Sequence, residues 1–208
     1  MINHGIFITV EGMDGCGKTS QIKLIQNYLK EKKYEVISIR EPGGTIISEK
    51  IRNLILDPNN KEMSIITEMF LYAAARSQLI IEIIKPALKE GKIVICDRFV
   101  DSSYAYQSFG RNIDLKTVEK INMIATEEIQ PDITFFFDIS PEITMKRIAD
   151  TTLDRIEQEK IEFHQKVYNG YKDLVFKYPN RIKAIQSNKS IEEIFNKVKK
   201  ELDYIFIK

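Results

Sequence analysis

A three-layer α/β sandwich, with a five-stranded parallel sheet covered by helices on both faces, is the fold class this sequence predicts. Three observations lead there. Five short apolar runs, Ile6–Val10, Val36–Ile39, Ile93–Cys96, Ile133–Asp138 and Ile182–Ile185, recur between helical stretches. Each run is nearly continuous in hydrophobicity instead of alternating, which is the pattern of strands buried on both faces. Strand alternating with helix implies parallel pairing through crossovers. A chain of 208 residues suits one such domain.

The first run is followed by Gly12-Met13-Asp14-Gly15-Cys16-Gly17-Lys18-Thr19, which satisfies G-x-x-x-x-G-K-[ST], the phosphate-binding P-loop. A helix-like stretch follows, with Ile22, Ile25 and Leu29 on one face. Glycines let the backbone curl so that amides from Gly12 through Ser20 point at phosphate oxygens. Lys18 brings a positive charge to the β- and γ-phosphates of ATP, and Thr19 a hydroxyl for Mg²⁺. The helix N-terminus adds its partial positive charge.

In sheets of this kind, ligands gather beyond the C-terminal ends of strands. The second run leads into Arg40-Glu41-Pro42-Gly43-Gly44-Thr45, either a plain surface turn or backbone brought close to a ligand. Glu49 and Arg52, one helical turn apart, suit a surface ion pair. In Thr67–Arg76 the apolar residues and alanines predict a buried helix. Its Tyr72 and Arg76 form either a base receptor or a core tyrosine with a surface arginine.

The third run, introduced by Gly91, ends in Cys96-Asp97-Arg98-Phe99. After a P-loop one strand earlier, Asp97 suits Mg²⁺ or its waters and Arg98 a second phosphate. The alternative is a structural Asp-Arg pair. Pro131-Asp132 breaks the chain before the fourth run. A helical, polar segment from Arg147 to Arg155 fits a lid over phosphates or a surface helix with a frayed turn. His4 and His164 have no partner pattern and suit surface or packing roles.

Composition excludes several classes. With 43% hydrophobic and 29% charged residues the chain is an ordinary globular one. A net charge of +1 argues against a nucleic-acid polymer or a membrane surface as partner. Lys197, Lys199 and Lys200 are balanced by Glu192, Glu193, Glu201 and Asp203, as on a solvated helix face. No apolar run approaches the about 20 residues that span a bilayer, and the N-terminus does not have a secretion signal's layout. Two cysteines cannot make a zinc site alone, and the places of Cys16, inside the loop, and Cys96, ending a strand, argue against a structural disulfide and fit a reducing cytoplasm. A GTP switch would need N-K-x-D, and Ser187-Asn188-Lys189-Ser190 has no aspartate there.

From about Ile6 to about Asn196 the chain resembles the thymidylate kinase family. The motifs are R-E-P-G-G-T at Arg40–Thr45, Y-x-x-x-R at Tyr72–Arg76 and D-R-F-x-x-S-S-x-A-Y-Q at Asp97–Gln107. L-D-R-I-E-Q-E at Leu153–Glu159, ahead of Phe163-His164, adds a bacterial-looking lid exit. The resemblance implies one P-loop kinase domain over residues 1–208, with a short lid at about 147–156. It transfers the γ-phosphoryl of Mg·ATP to dTMP in the cytoplasm, as a homodimer. Apolar helices after Asp57 could supply the interface or the core. It further implies that Asp14 meets the deoxyribose 3′-hydroxyl and helps organise Mg²⁺, and that Glu41, Pro42 and Arg52 lie at the dTMP sugar and phosphate. Arg98 binds that phosphate and steadies the transferred group. Tyr72, where the family usually has phenylalanine, stacks on thymine; Arg76, Ser103 and Gln107 read the base edge, and Tyr106 packs on the sugar. Catalytic roles thus fall to Asp14, Lys18, Arg98 and Arg155, with Arg147 as an ATP contact. Two departures bear on the last pair: Gly15 stands where some members carry a P-loop arginine, and no arginine lies between Arg147 and Arg155. Spacing does not choose between those two. The adenine side is expected near Ser187-Asn188, and rival acceptors are other deoxynucleoside or nucleoside monophosphates.

Overall fold

The computed structural model describes residues 5–206; His4 lies outside them. Five strands, β1 (Ile6–Glu11), β2 (Val36–Arg40), β3 (Ile93–Asp97), β4 (Ile133–Asp138) and β5 (Ile182–Gln186), form one sheet in the order β2-β3-β1-β4-β5. All four pairings are parallel. Four of the strands run one residue beyond their apolar stretch, onto Glu11, Arg40, Asp97 and Gln186. The ladder continues past the hydrophobic run because those backbone groups still have neighbours to pair with.

Successive strand residues point to opposite faces, so each strand feeds two cores. Ile6, Ile8, Val10, Ile93, Ile95, Phe135 and Phe137 pack with Ile22, Ile25 and Leu29 of α1 (Lys18–Glu31) and Ile194, Val198 and Leu202 of α9 (Ile191–Phe206). Phe7, Val94, Cys96 and Phe136 face the other way. They meet α3 (Ile65–Leu79), α5 (Val100–Ser103), α6 (Leu115–Thr126) and α8 (Ile161–Lys177). Having helices on both sides is why the central strands β1, β3 and β4 are buried along almost their whole length, whereas the edge strands β2 and β5 keep exposed residues such as Ser38 and Gln186. On α9, Lys197, Lys199 and Lys200 are exposed.

Two segments carry local geometry that propensity does not report. A π-helical turn, Ile80–Ile84, joins α3 to α4 (Lys85–Lys89), just ahead of Pro86, which has no N–H to give. A second, Tyr104–Gly110, continues α5 and carries Tyr106 and Gln107. After α2 (Ile46–Leu56) the chain reaches α3, which is only partly buried: Phe70 is 54% exposed. Past β4, α7 (Pro141–Ile148) ends early, so the stretch to Arg155 is not helical as the sequence suggests. Thr151 Oγ1 bonds back to the Ile148 carbonyl, and Asp154 Oδ1 accepts the amides of Ile156 and Glu157. Side chains thus take up backbone groups that a helix would use. No helix among the described residues is long and apolar enough to cross a membrane.

Candidate active site

The loop after β1 has the curl its glycines predict. Gly12, Gly15 and Gly17 all have positive φ. A Cβ on Gly12 would stand 2.8 Å from Cys16 Sγ and 3.0 Å from the Phe137 carbonyl, so the loop could not seat with any larger residue. Met13 and Cys16, each 2% exposed, turn their side chains into the two cores, so at these two positions only backbone is left to face a ligand. Lys18 is buried and donates to the carbonyls of Gly12 and Met13 at 3.0 and 3.1 Å.

Two adjoining cavities open at the C-terminal edge of the sheet. The first is lined by every residue expected at the dTMP site: Asp14, Glu41, Pro42, Arg52, Tyr72, Arg76, Arg98, Ser103, Tyr106 and Gln107. Leu56, Ser102, Asp154 and Ile156 join them; the last three lie within quoted motifs without an expected role, and Leu56 lies in none. The second is lined by Asp14, Gly15, Gly17, Lys18, Thr19, Ser20 and Asp97 of the expected ATP and metal residues, and also by Arg40. Asp14, Glu41, Arg52 and Arg98 line both.

Arg76 is the reverse of a surface arginine. It is 2% exposed; its Nε donates to Glu41 Oε2 at 2.7 Å, Nη1 to Ser103 Oγ at 2.8 Å and to Asn122 Oδ1, and Nη2 to the Phe99 carbonyl at 3.0 Å. These bonds fix the cavity wall and leave few donors for a ligand. Burial pushes the Glu41 carboxyl up, against the pull of Arg76, and its Oε1 is buried without a partner. The expected Glu49–Arg52 pair does not form. Glu49 instead takes both its oxygens to Arg40 at 2.9 Å, while Arg52 Nη1 donates to the Pro42 carbonyl at 2.9 Å, bracing the turn.

Arg98 stands where the cavities meet. Its Nη2 donates to Asp14 Oδ1 at 2.8 Å, and its guanidinium carbon lies 5.2 Å from the centre of the Tyr106 ring. Partial burial works to raise the Asp14 carboxyl, but Arg98 and Lys18 outweigh it and hold it well below the usual carboxylate range. Asp14 is therefore ionised and ready to accept. Asp97 ends β3 opposite Val10 in register, and its Oδ1 is buried with no hydrogen-bond partner.

The two arginines of the expected lid separate. Arg147, on α7, donates from Nη1 to the Gly15 carbonyl at 3.0 Å, against the loop. Neither arginine lines a cavity, and Arg155 is tied elsewhere: Nε donates to the Ile55 carbonyl at 2.7 Å and Nη2 to Glu68 Oε2 at 2.8 Å. Glu68 is 1% exposed and holds Arg111 as well as Arg155, because a buried carboxylate needs counter-charge. Arg155 is thus paired with Glu68 here, while Arg147 rests against the phosphate loop. Gly15 is explained too: at φ +80°, a Cβ there would lie 3.0 Å from the Thr144 carbonyl and 3.1 Å from Ile148 Cγ2. Substituting Gly15→Arg is expected to displace α7 and lower stability by about 1–3 kcal/mol, the range for a strained left-handed position. Urea melts of Gly15→Ala and Gly15→Arg check this.

His164 is buried, with neither ring nitrogen hydrogen-bonded, and burial lowers its pKa. Ser187 is buried and its amide bonds to the Asp138 carbonyl, while Asn188 is exposed.

A family sequence model described as "Thymidylate kinase" matches residues 10–198. The thymidylate kinase of Clostridium novyi (strain NT) is 48% identical over 201 residues, covering 95% of this chain and 98% of the relative. That of Thermoanaerobacter sp. (strain X514) is also 48% identical, over 202 residues, covering 95% and 99%. The crystal structure of thymidylate kinase from Ehrlichia chaffeensis superposes with a TM-score of 0.80 at 34% identity, covering 95% of this chain and 98% of that one. A phosphate loop facing a second, arginine-walled cavity is therefore matched by sequence likeness along almost the whole of both chains, and the chain belongs to the thymidylate kinase family, the phosphotransferases that make dTDP from dTMP and ATP.

Proposed function

We propose that dTMP occupies the cavity walled by Tyr72 and Gln107, that Mg·ATP occupies the cavity at the loop, and that their phosphates meet at Arg98. The observation that carries this reading is the set of four residues, Asp14, Glu41, Arg52 and Arg98, common to both cavities. Transfer is in line, from the γ-phosphoryl to the acceptor phosphate, and positioning with charge neutralisation carries it. The acceptor phosphate is already ionised, so no general base is required. Lys18 swings from its loop carbonyls to the donor phosphates, and Arg98 spans donor and acceptor. Asp14, kept ionised, accepts from the deoxyribose 3′-hydroxyl. Arg147 takes the lid role at the donor side, while Arg155 ties down the lid's base. Lid closure would keep water from the donor.

The residues fit Mg²⁺. Asp97 presents a buried oxygen with no partner beside Thr19 in the loop cavity. Among the described residues no group of three or more His, Cys, Asp or Glu could hold an ion alone, which suits a cation that takes most of its ligands from phosphate and water. When bound, Mg²⁺ supplies charge neutralisation at the β- and γ-phosphates. Chelation with EDTA is expected to abolish turnover and added Mg²⁺ to restore it. Asp97→Asn should need a higher Mg²⁺ concentration for half-maximal rate, read from a Mg²⁺ titration.

The reading extends to one kinase domain acting in the cytoplasm as a homodimer. Exposed Ile66 and Phe70 of α3 and Met123 and Ile124 of α6, two helices packed side by side, offer the apolar face for a second copy. Phe70→Glu is expected to yield a monomer in sedimentation velocity. The substrate assignment is tested by ADP release across dTMP, dUMP, dCMP, dGMP and AMP. Preference for dTMP is expected, and preference for any other acceptor contradicts it.

A further inference from the structure

Glu11 ends β1 immediately before the phosphate loop, carries no motif signal and is fully buried. Its Oε1 accepts the Phe99 amide at 2.7 Å. Its Oε2 lies 2.6 Å from Ser102 Oγ and 2.9 Å from Tyr171 Oη. Each of those two hydroxyls also stands 3.3 Å from Arg98 Nη1. A carboxylate only accepts and a guanidinium only donates, while a hydroxyl does both. The two hydroxyls stand 2.8 Å from each other, so their protons run to Glu11 directly or one through the other, and in either arrangement both turn lone pairs toward Arg98. Two short hydrogen-bond chains therefore run from the guanidinium to a buried carboxylate, leaving Nη2 at the cavity junction.

The backbone reinforces this. Arg98 is left-handed, with φ +70°, a conformation that costs a bulky residue about 1–3 kcal/mol unless its surroundings fix it. Bonds on both sides do so: the Arg98 amide to the Val10 carbonyl at 2.9 Å, and the Phe99 amide to Glu11. The charges facing Glu11 are Asp101, itself paired with Arg181, together with Arg98 and the Tyr171 hydroxyl; Cys96 lies close by. Burial and then Asp101 push the Glu11 carboxyl up to about 7, while Ser102, Arg98 and Tyr171 pull it down. A fold that needed only packing here would be served by an apolar side chain, since burying this carboxylate is costly.

We propose that Glu11 is a positioning residue for phosphoryl transfer, setting the Arg98 guanidinium through the Phe99 amide and the Ser102 and Tyr171 hydroxyls. The proposal rests on the reading of Arg98 as the residue that spans both phosphates. Glu11→Gln keeps an acceptor for the Phe99 amide but turns N–H toward the hydroxyls, so their lone pairs no longer face Arg98. Its kcat for dTMP is expected to fall about tenfold with KM for ATP unchanged. Tyr171→Phe should show a smaller fall of the same kind, and the double variant should fall short of the product of the two, because both act on one chain.

The kcat ratio of parent to Glu11→Gln should rise between pH 6 and pH 8, as Glu11 ionises; acceptor titration cancels in that ratio. A parental kcat in Glu11→Gln, strictly multiplicative effects, or a ratio flat across that range would each overturn the proposal. Should Glu11→Gln fail to fold, Tyr171→Phe, which keeps the ring, decides through the same split between kcat and KM for ATP. Arg98→Ala serves as the reference. If it is crippled while Glu11→Gln is parental, this inference fails alone; if it is parental, the reading of Arg98 fails with it.

Discussion

Replacing Arg98 with alanine is expected to lower kcat for dTMP by about two to three orders of magnitude, what one preorganised charge contact to the developing transition state is typically worth. Arg98 is the cation held between the two cavities by partners on three elements: Asp14 in the loop, Ser102 on α5 and Tyr171 on α8. Its loss should leave the fold largely intact, since Asp14 is 42% exposed and retains Lys18 at 3.8 Å. Arg98→Lys should recover only part of the rate, because an ammonium keeps the charge but not the fork that spans two phosphate groups. Single-turnover measurements separate the two effects: kcat should drop far more than KM rises. A near-parental kcat in Arg98→Ala would remove Arg98 from the chemistry.

Replacing Arg76 with methionine is expected to produce the largest loss of stability among the site variants, about 3–5 kcal/mol. The pair it breaks is almost fully buried, with side-chain exposures of 2% and 3% for Arg76 and Glu41. The variant strands Glu41, whose other oxygen already has no partner, and leaves Ser103, Asn122 and the Phe99 carbonyl without their donor. The damage should then be pH-dependent. Burial already raises the Glu41 carboxyl, and without Arg76 it should rise further. A raised folded-state pKa means the contribution from protonation is present at low pH and lost as pH rises, so the variant should fare relatively better in acid. Adding Glu41→Gln should return part of the stability by removing the unpaired charge. Urea denaturation of the parent, the single and the double variant measures all three.

The sheet was legible because its physics is local. Ile6–Val10 and Ile133–Asp138 are unbroken apolar runs, and only strands covered on both sides can use such runs. Phe7 and Ile8 serving opposite cores shows why no alternation appears. That the residues of the cavity proposed for dTMP come together was legible for a different reason: they sit at strand ends and in fixed-spacing motifs. What spacing could not convey was which partner each long side chain selects. Arg76 and Arg155 look alike as sequence, an arginine beside polar or apolar neighbours, and both are bound to buried carboxylates distant in the chain. Glu49 and Arg52 have ion-pair spacing, yet each found a better partner across the turn. Leu56 and Ile156 line the cavity because the lid's base docks on the end of α2, through the Arg155 amide to the Leu56 carbonyl at 3.0 Å. That contact spans about a hundred residues and leaves no periodic trace.

The most direct measurement is a crystal structure with thymidine and adenosine joined through a chain of phosphates, one molecule filling both sites. Thymine is expected beside Tyr72 and Gln107, with the phosphate chain crossing from Arg98 to Lys18 and Arg147 approaching it while Arg155 stays on Glu68. Thymine outside that cavity, or a phosphate chain that bypasses Arg98, would contradict that arrangement.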